Sequence, residues 1–314
     1  MALDHRKAKR IAYQAAALAA ALGIAGYLIS NTLANLEARR IASGFAFLWR
    51  EAGFEIGEAP FQRYSAADTY LKALAVGLAN TFKVSLAGIV LATLLGATIG
   101  LFLVSANRLL KAVSRAYVEF MRNVPLLVQL FFWYALITET LPPPPAALQP
   151  LPGVFLSNRG IFFPLPGSAP LLEGFNFSGG LAITPEFAAL LVGLVTYTAA
   201  FIAEIVRAGV LSVSRGQFEA AYALGLTRRL AMRHVVLPQA LRVIVPPLTS
   251  QYLNLTKNSS LAVAIGYPDL VSIANTIINQ TGQAIEGIAI IMAVYLTISL
   301  SISAFMNWYN ARLK

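Results

Sequence analysis

Glu219-Ala220-Ala221-Tyr222-Ala223-Leu224-Gly225, continued by Leu226-Thr227-Arg228-Arg229 and closed by Val235-Val236-Leu237-Pro238, is a short polar stretch set between long apolar runs. Glu219 to Leu224 has the propensity of a short helix. Gly225 suits the left-handed position that ends one, and Thr227 is placed to cap a second helix, Arg228 to Leu237, before Pro238 interrupts again. The pattern predicts a helix–glycine–helix elbow lying outside a membrane. On its first helix Ala220, Ala221 and Leu224 form a small apolar face, flanked by arginines and sized for a groove on another protein. A plain basic loop that only fixes topology accounts for the same composition.

The flanking runs decide the fold class. Hydrophobic residues make up 57% of the 314 and charged residues 12%, against about 45–50% and about 25% in soluble domains. A hydrocarbon core of about 30 Å needs roughly 20 apolar residues per helix, and no alternating strand segments of a barrel occur. The sequence therefore predicts an all-α, polytopic membrane helix bundle. Six spans are expected: Ile11–Ser30, Thr81–Val104, Pro125–Thr140, Pro185–Val206, Val243–Gly266 and Ile288–Met306. The first follows Arg6, Lys7, Lys9 and Arg10 but is longer than a signal-peptide core and lacks a clear cleavage site, so it reads as a retained anchor.

Basic residues set the expected orientation. Arg108, Lys111, Arg115 and Arg122 follow the second span, Arg207, Arg215, Arg228, Arg229, Arg233 and Arg242 lie between the fourth and fifth, and Arg312 and Lys314 close the chain. With six crossings these fall on one side, the cytoplasmic one, together with both termini. Arg39, Arg40, Arg50, Arg63 and Lys72 lie in the first outer segment beside Glu37, Glu51, Glu55, Glu58 and Asp68, as in a small folded surface element. Residues 31–70, with Phe45, Phe47, Trp49 and Phe54, suit amphipathic helices along the interface. The insertion 142–184 opens on Pro142-Pro143-Pro144-Pro145 and is expected to be irregular.

Several function classes are excluded or weakened. The net charge of +10 is accounted for by loops that meet anionic headgroups, and no basic stripe is interleaved with exposed aromatics, which argues against nucleic acid. The chain has no cysteine, hence no disulfide, thiolate or cysteine-ligated metal. Its histidines, His5 and His234, stand apart from paired carboxylates, and no phosphate loop, dinucleotide turn, zincin pair or nucleophile elbow is present. No catalytic or metal-ligating residue is assigned.

Polar residues within the spans are the remaining candidates, being costly in lipid. Pro246, Pro247, Gln251, Asn254, Lys257, Asn258, Ser259 and Ser260 crowd the fifth span, which predicts a helix broken near Lys257 with its polar groups turned to protein or water. A lining of a passage and polar packing between helices are both open readings for each residue. Gln129, with Trp133 and Tyr134, stands at a comparable position in the third span. Glu204 and Arg207 are spaced for an ion pair, and Gly88, Gly96 and Gly100 for close helix packing.

Glu219-Ala220-Ala221, three residues, Gly225, nine residues, Val235, one residue and Leu237-Pro238 resemble at every spacing the EAA loop of importer-type ABC permeases, with Val where Ile is usual. Arg122-Asn123-Val124-Pro125-Leu126-Leu127-Val128-Gln129-Leu130, Leu237-Pro238-Gln239-Ala240-Leu241-Arg242 and Lys257-Asn258-Ser259-Ser260-Leu261 resemble the polar amino-acid subfamily, the histidine and glutamine permeases. The likeness covers roughly residues 70–310. The added first helix, the Gly44-Phe45-Ala46-Phe47-Leu48 segment and the Pro-rich insertion look like the general L-amino-acid permease type.

The resemblance implies a type I ABC importer permease fold, with an anchor and outer segment in 1–69 and a permease domain in 70–314. The insertion is 142–184 and the coupling loop 207–240. Glu219, Ala220, Ala221, Leu224, Gly225, Arg228, Arg229, Leu237 and Pro238 would then meet an ATP-binding subunit dimer, which carries ATP and Mg while this chain carries no cofactor. Gln129, Gln251, Asn254, Lys257, Asn258 and Ser259 would be candidates for the translocation path. The implied partners are a second permease subunit, unlike or identical, and an amino-acid-binding protein outside an inner-membrane, multi-pass complex. The competing class, an ion-coupled transporter or channel acting alone, calls for membrane carboxylates or inverted repeats, whereas acids near the spans reduce to Glu204, Glu139 and Glu286.

Overall fold

The computed structural model describes residues 2–38, 43–59 and 63–312; Arg39, Arg40 and Lys314 of the orientation argument lie outside them. Helices dominate: α1 (Ala2–Ala38), α2 (Tyr70–Leu103), α3 (Arg108–Asn123), α4 (Leu126–Thr140), α5 (Pro185–Leu211), α6 (Arg215–Ala223), α7 (Arg228–Ala231), α8 (Leu237–Asn258), α9 (Leu270–Thr281) and α10 (Ala284–Arg312). Four of these are long and apolar enough to cross a membrane, and six crossings result if the bent pairs α3/α4 and α7–α8/α9 each count once.

The bundle is organised around α5, packed between α2, α4 and α8. Lipid tails are as apolar as leucine, so close packing rather than the hydrophobic effect holds such helices together. Gly96 and Gly100 of α2 provide it. A Cβ at Gly96 would lie 2.8 Å from the Ala199 carbonyl oxygen, and one at Gly100 2.8 Å from that of Ala203. Gly88 meets Leu255 of α8 less tightly, at 3.1 Å. The small faces expected of these glycines are real helix contacts.

Several expected boundaries move. The third expected crossing, Pro125–Thr140, is α4, with 15 residues, about 22 Å of helix; α3, expected as loop, is a helix that rests one side on the bundle and meets α4 at a bend of 105°. The fifth begins at Arg228 rather than Val243, and it breaks after Asn258 into a 3-10 segment, Ser259–Ile265. That agrees with a break near Lys257. Beyond Gly266 comes α9, an element absent from the expected spans.

Among the described residues of 31–70 the expected interfacial amphipathic helices are not seen: the first helix continues to Ala38, and a 3-10 turn, Phe45–Trp49, is the one further helical element before α2. This segment is folded onto the bundle: Phe47 and Ala52 are buried against Leu270, Ile273 and Ile277, and the Gly44 amide donates to Glu286 Oε1 at 2.6 Å.

The insertion is not irregular either. It holds a four-stranded antiparallel sheet of β1 (Leu148–Leu151), β2 (Val154–Ser157), β3 (Gly160–Phe163) and β6 (Leu181–Ile183), plus the hairpin β4 (Leu171–Glu173) with β5 (Asn176–Ser178). Phe155, Phe162 and Phe177 form its small core, with ring centroids 4.5 and 4.9 Å apart. Part of the glycine and proline that suggested irregular backbone sits in hairpin turns: Pro152-Gly153 joins β1 to β2, and Gly174-Phe175 joins β4 to β5.

Candidate functional site

The elbow forms where α5 leaves the bundle. Helix α6 ends in a Schellman pattern, in which the Gly225 amide donates to Tyr222 O at 2.9 Å and the Leu226 amide to Ala221 O at 3.1 Å. Gly225 has φ +79°, a left-handed conformation that costs an L-residue about 1–2 kcal/mol. Thr227 Oγ1 accepts from the Leu230 amide at 3.5 Å, starting α7. Both cap assignments read from the sequence hold.

The second half of the elbow differs from expectation. Pro238 does not interrupt: α7 passes through a π turn, Met232–Val236, straight into α8 with Pro238 in its first turn. The missing proline amide falls where a helix start tolerates it. The Gln239 side chain donates to Val235 O at 3.0 Å and to Gln217 Oε1 of α6 at 3.1 Å, tying the two arms together.

Burial separates the expected docking residues. Ala221 is 3% exposed and faces the bundle, so it does not share an outward face with Ala220 and Leu224; burial at this position follows from Phe218, one turn before it, packing on the core. Leu224 is 82% exposed. Glu219, Ala220, Arg228, Arg229 and Pro238 are exposed and Leu237 is half-buried. Beneath the elbow, a cavity of about 460 Å³ is lined by Val104, Val210, Phe218, Tyr222, Arg228 and Met232, among others. The result is a seated arm on which Leu224 is the most exposed large apolar side chain, with Tyr222 partly exposed beside it and one carboxylate among arginines.

The candidate path residues do not form one group. Asn254 and Lys257 are exposed, one turn apart on α8, in a stripe with Pro247 and Ser250; Gln251 and Asn258 are half-buried. Ser259 is 0% exposed, and its hydroxyl donates to Thr256 O at 2.7 Å. The buried Gln129 amide donates to Met121 O and Val124 O, each at 3.0 Å, holding the α3/α4 bend. Packing describes those two side chains. Glu204 and Arg207 form the expected ion pair, at 2.8 Å.

One buried polar group had no place in the sequence reading. Asp269 caps α9 through the Ser272 amide, at 2.8 Å, while the Asn80 side chain of α2 donates to Pro268 O at 2.9 Å and Glu58 O at 2.8 Å. Thr81 Oγ1 accepts from the Leu270 amide at 3.1 Å. Together they clamp the start of α9 to α2. Asp269 ahead of an apolar run, with Gly282 after it, is the capping signal that reveals this helix.

At the opposite end from the elbow, Glu58 pairs with Lys83 and accepts from Thr184 Oγ1 at 2.9 Å. The Lys83 ammonium also stands 4.0 Å over the Phe187 ring. Tyr134 donates to Glu186 at 3.1 Å. Glu58 and Glu186 are thus engaged at this end of the bundle.

Comparison with known proteins bears on the family and the fold. Residues 88–314 match the family described as binding-protein-dependent transport system inner membrane component. The chain is 45% identical to the putative amino-acid ABC transporter permease protein YhdX of Escherichia coli strain K12, covering 96% of this chain and 93% of the relative. It is 40% identical to the general L-amino acid transport system permease protein AapQ of Rhizobium johnstonii, covering 98% and 92%. Among solved structures, an amino acid ABC transporter crystallised with histidines superposes with a TM-score of 0.59 at 29% identity, over 77% of this chain and 95% of the other. The inward-facing MetNI methionine ABC transporter, at 18% identity, shares the fold with a TM-score of 0.57 over 78% and 97%. These are permease subunits rather than enzymes, and against this background the ion-coupled alternative falls away: the chain belongs to the family of binding-protein-dependent transport system inner membrane components, the multi-pass permeases of ABC importers.

Proposed function

We propose that this chain is one membrane subunit of an ATP-driven amino-acid importer, and that the elbow at Glu219–Gly225 is where an ATP-binding subunit grips it. The observation that carries this reading is the combination at one place of a rigid seat and an exposed tip. Ala221 and Phe218 fix α6 to the core, so force applied to Leu224 and Glu219 moves α5 and α8 rather than bending a loop. ATP and Mg belong to the partner, whose closure would switch the bundle between two states of different accessibility. Both chain ends then lie on the elbow's side, the cytoplasm.

The substrate class is taken from the relatives, which are amino-acid permeases by name. A second, unlike permease subunit is supported by GltJ and GltK, two glutamate/aspartate import permease proteins of one Escherichia coli strain, both similar to this chain. The open stripe Pro247, Ser250, Asn254 and Lys257 is where such a partner would complete a path, with a binding protein delivering substrate at the opposite end. Purification of the native complex through a tag on this chain tests the reading. An ATPase chain, a second permease and amino-acid-stimulated hydrolysis are expected; a homogeneous chain that transports without nucleotide would overturn it.

A further inference from the structure

The helix α3 has three distinct sides. Ser114 and Val118 are buried, and Val118 packs with Leu103 and Ala203 at the elbow's end of the bundle. On the next arc Leu109, Val113 and Phe120 stand 71%, 62% and 62% exposed. The third arc carries Arg108, Lys111 and Arg115 at helical spacing, all exposed. Among the described residues none of these three has a carboxylate partner within salt-bridge distance. A shallow cavity of about 390 Å³ lies between them, floored by Ala112 and Ala116 and edged by Glu119.

A helix with adjoining apolar and cationic arcs, bent sharply away from the span that follows it, has the form of an interfacial helix. From this geometry we infer that α3 is a binding site for an anionic phospholipid: the headgroup phosphate seats between Arg108, Lys111 and Arg115 over the alanine floor, and its acyl chains lie along Leu109, Val113 and Phe120. A lipid satisfies both arcs at once, phosphate beside chain. A soluble protein partner would have to displace lipid from the apolar arc to reach the cations. The site is separate from the elbow and independent of the transported substrate, so its failure leaves the transport reading standing.

The assembled complex, placed in nanodiscs of phosphatidylcholine and phosphatidylglycerol in equal parts and then released for native mass spectrometry, should retain phosphatidylglycerol in excess. The triple variant Arg108→Gln, Lys111→Gln, Arg115→Gln should lose that excess, by about five-fold per charge removed, which corresponds to about 1 kcal/mol each. Should the triple variant not assemble, Glu119→Gln alone decides, because removing the one acid on this arc must raise retention. Equal retention of both lipids by the wild type, or no change in Glu119→Gln, overturns the site. Loss of the ATPase chain from the triple variant with lipid retention unchanged also overturns it, in favour of a protein contact.

Discussion

Single residues do two kinds of work in this chain. Gly96 and Gly100 exist to let α2 approach α5: any side chain there meets backbone carbonyl oxygen, which cannot rotate away. Gly96→Leu should destabilise the bundle by about 1–3 kcal/mol or more, the range for overpacking, and thermal unfolding of the complex in detergent should register it as a lower midpoint. An unchanged midpoint would mean that α2 and α5 are not packed as described. Gly225 is different, because nothing crowds the space where its Cβ would stand; its requirement is the backbone angle alone. Leu224 and Ala221 look alike in the sequence, yet one is the exposed tip and the other part of the seat. Composition cannot separate them, since both are apolar residues on a two-turn helix whose core-facing side is set by Phe218.

At the scale of elements, the broken helix makes the most specific claim. Asn254 lies on the open stripe of α8 and Ser259 is sealed in the 3-10 segment, so Leu at the two positions should act in opposite ways. Asn254→Leu should lower uptake per assembled complex with little change in thermal stability. Ser259→Leu should reduce the yield of complex before it affects turnover. Uptake assayed in proteoliposomes normalised to assembled complex distinguishes them, and matching behaviour of both variants would remove the distinction.

The break was legible because the eleven polar or proline residues within Pro246–Ser260 cannot all face lipid. The long spans, the Gly225 cap, the Thr227 cap and the ion pair were legible for equally local reasons. What was missed depends on neighbours: α3 resembles a charged loop until α2 and α5 cover its Val118 side, and the strands of the insertion have only three or four residues each. Hairpins that short are marginal alone, and here a three-phenylalanine core joins them. Pro238 signals a stop because proline usually is one, whereas here it follows a π turn and stands in the first turn of α8.

For the whole molecule, the proposed docking at the elbow carries an orientation with it. The chain has no cysteine, so single cysteines report cleanly. Ser168→Cys in the insertion should react with a membrane-impermeant thiol reagent added outside intact cells, and Thr227→Cys should be protected until the membrane is opened. The reverse pattern would place the elbow outside and exclude a cytoplasmic ATPase.

The central claim is that force from ATP hydrolysis enters through Glu219–Gly225. Its most direct measurement is amino-acid- and binding-protein-stimulated ATP hydrolysis by the reconstituted complex carrying Gly225→Val or Glu219→Lys. The former imposes a left-handed angle on a β-branched residue, and the latter turns the elbow's one carboxylate into another cation. Both variants should insert and assemble while losing most of the stimulation, an order of magnitude or so if about 1–2 kcal/mol of elbow geometry is lost. Full stimulation in both would contradict the account.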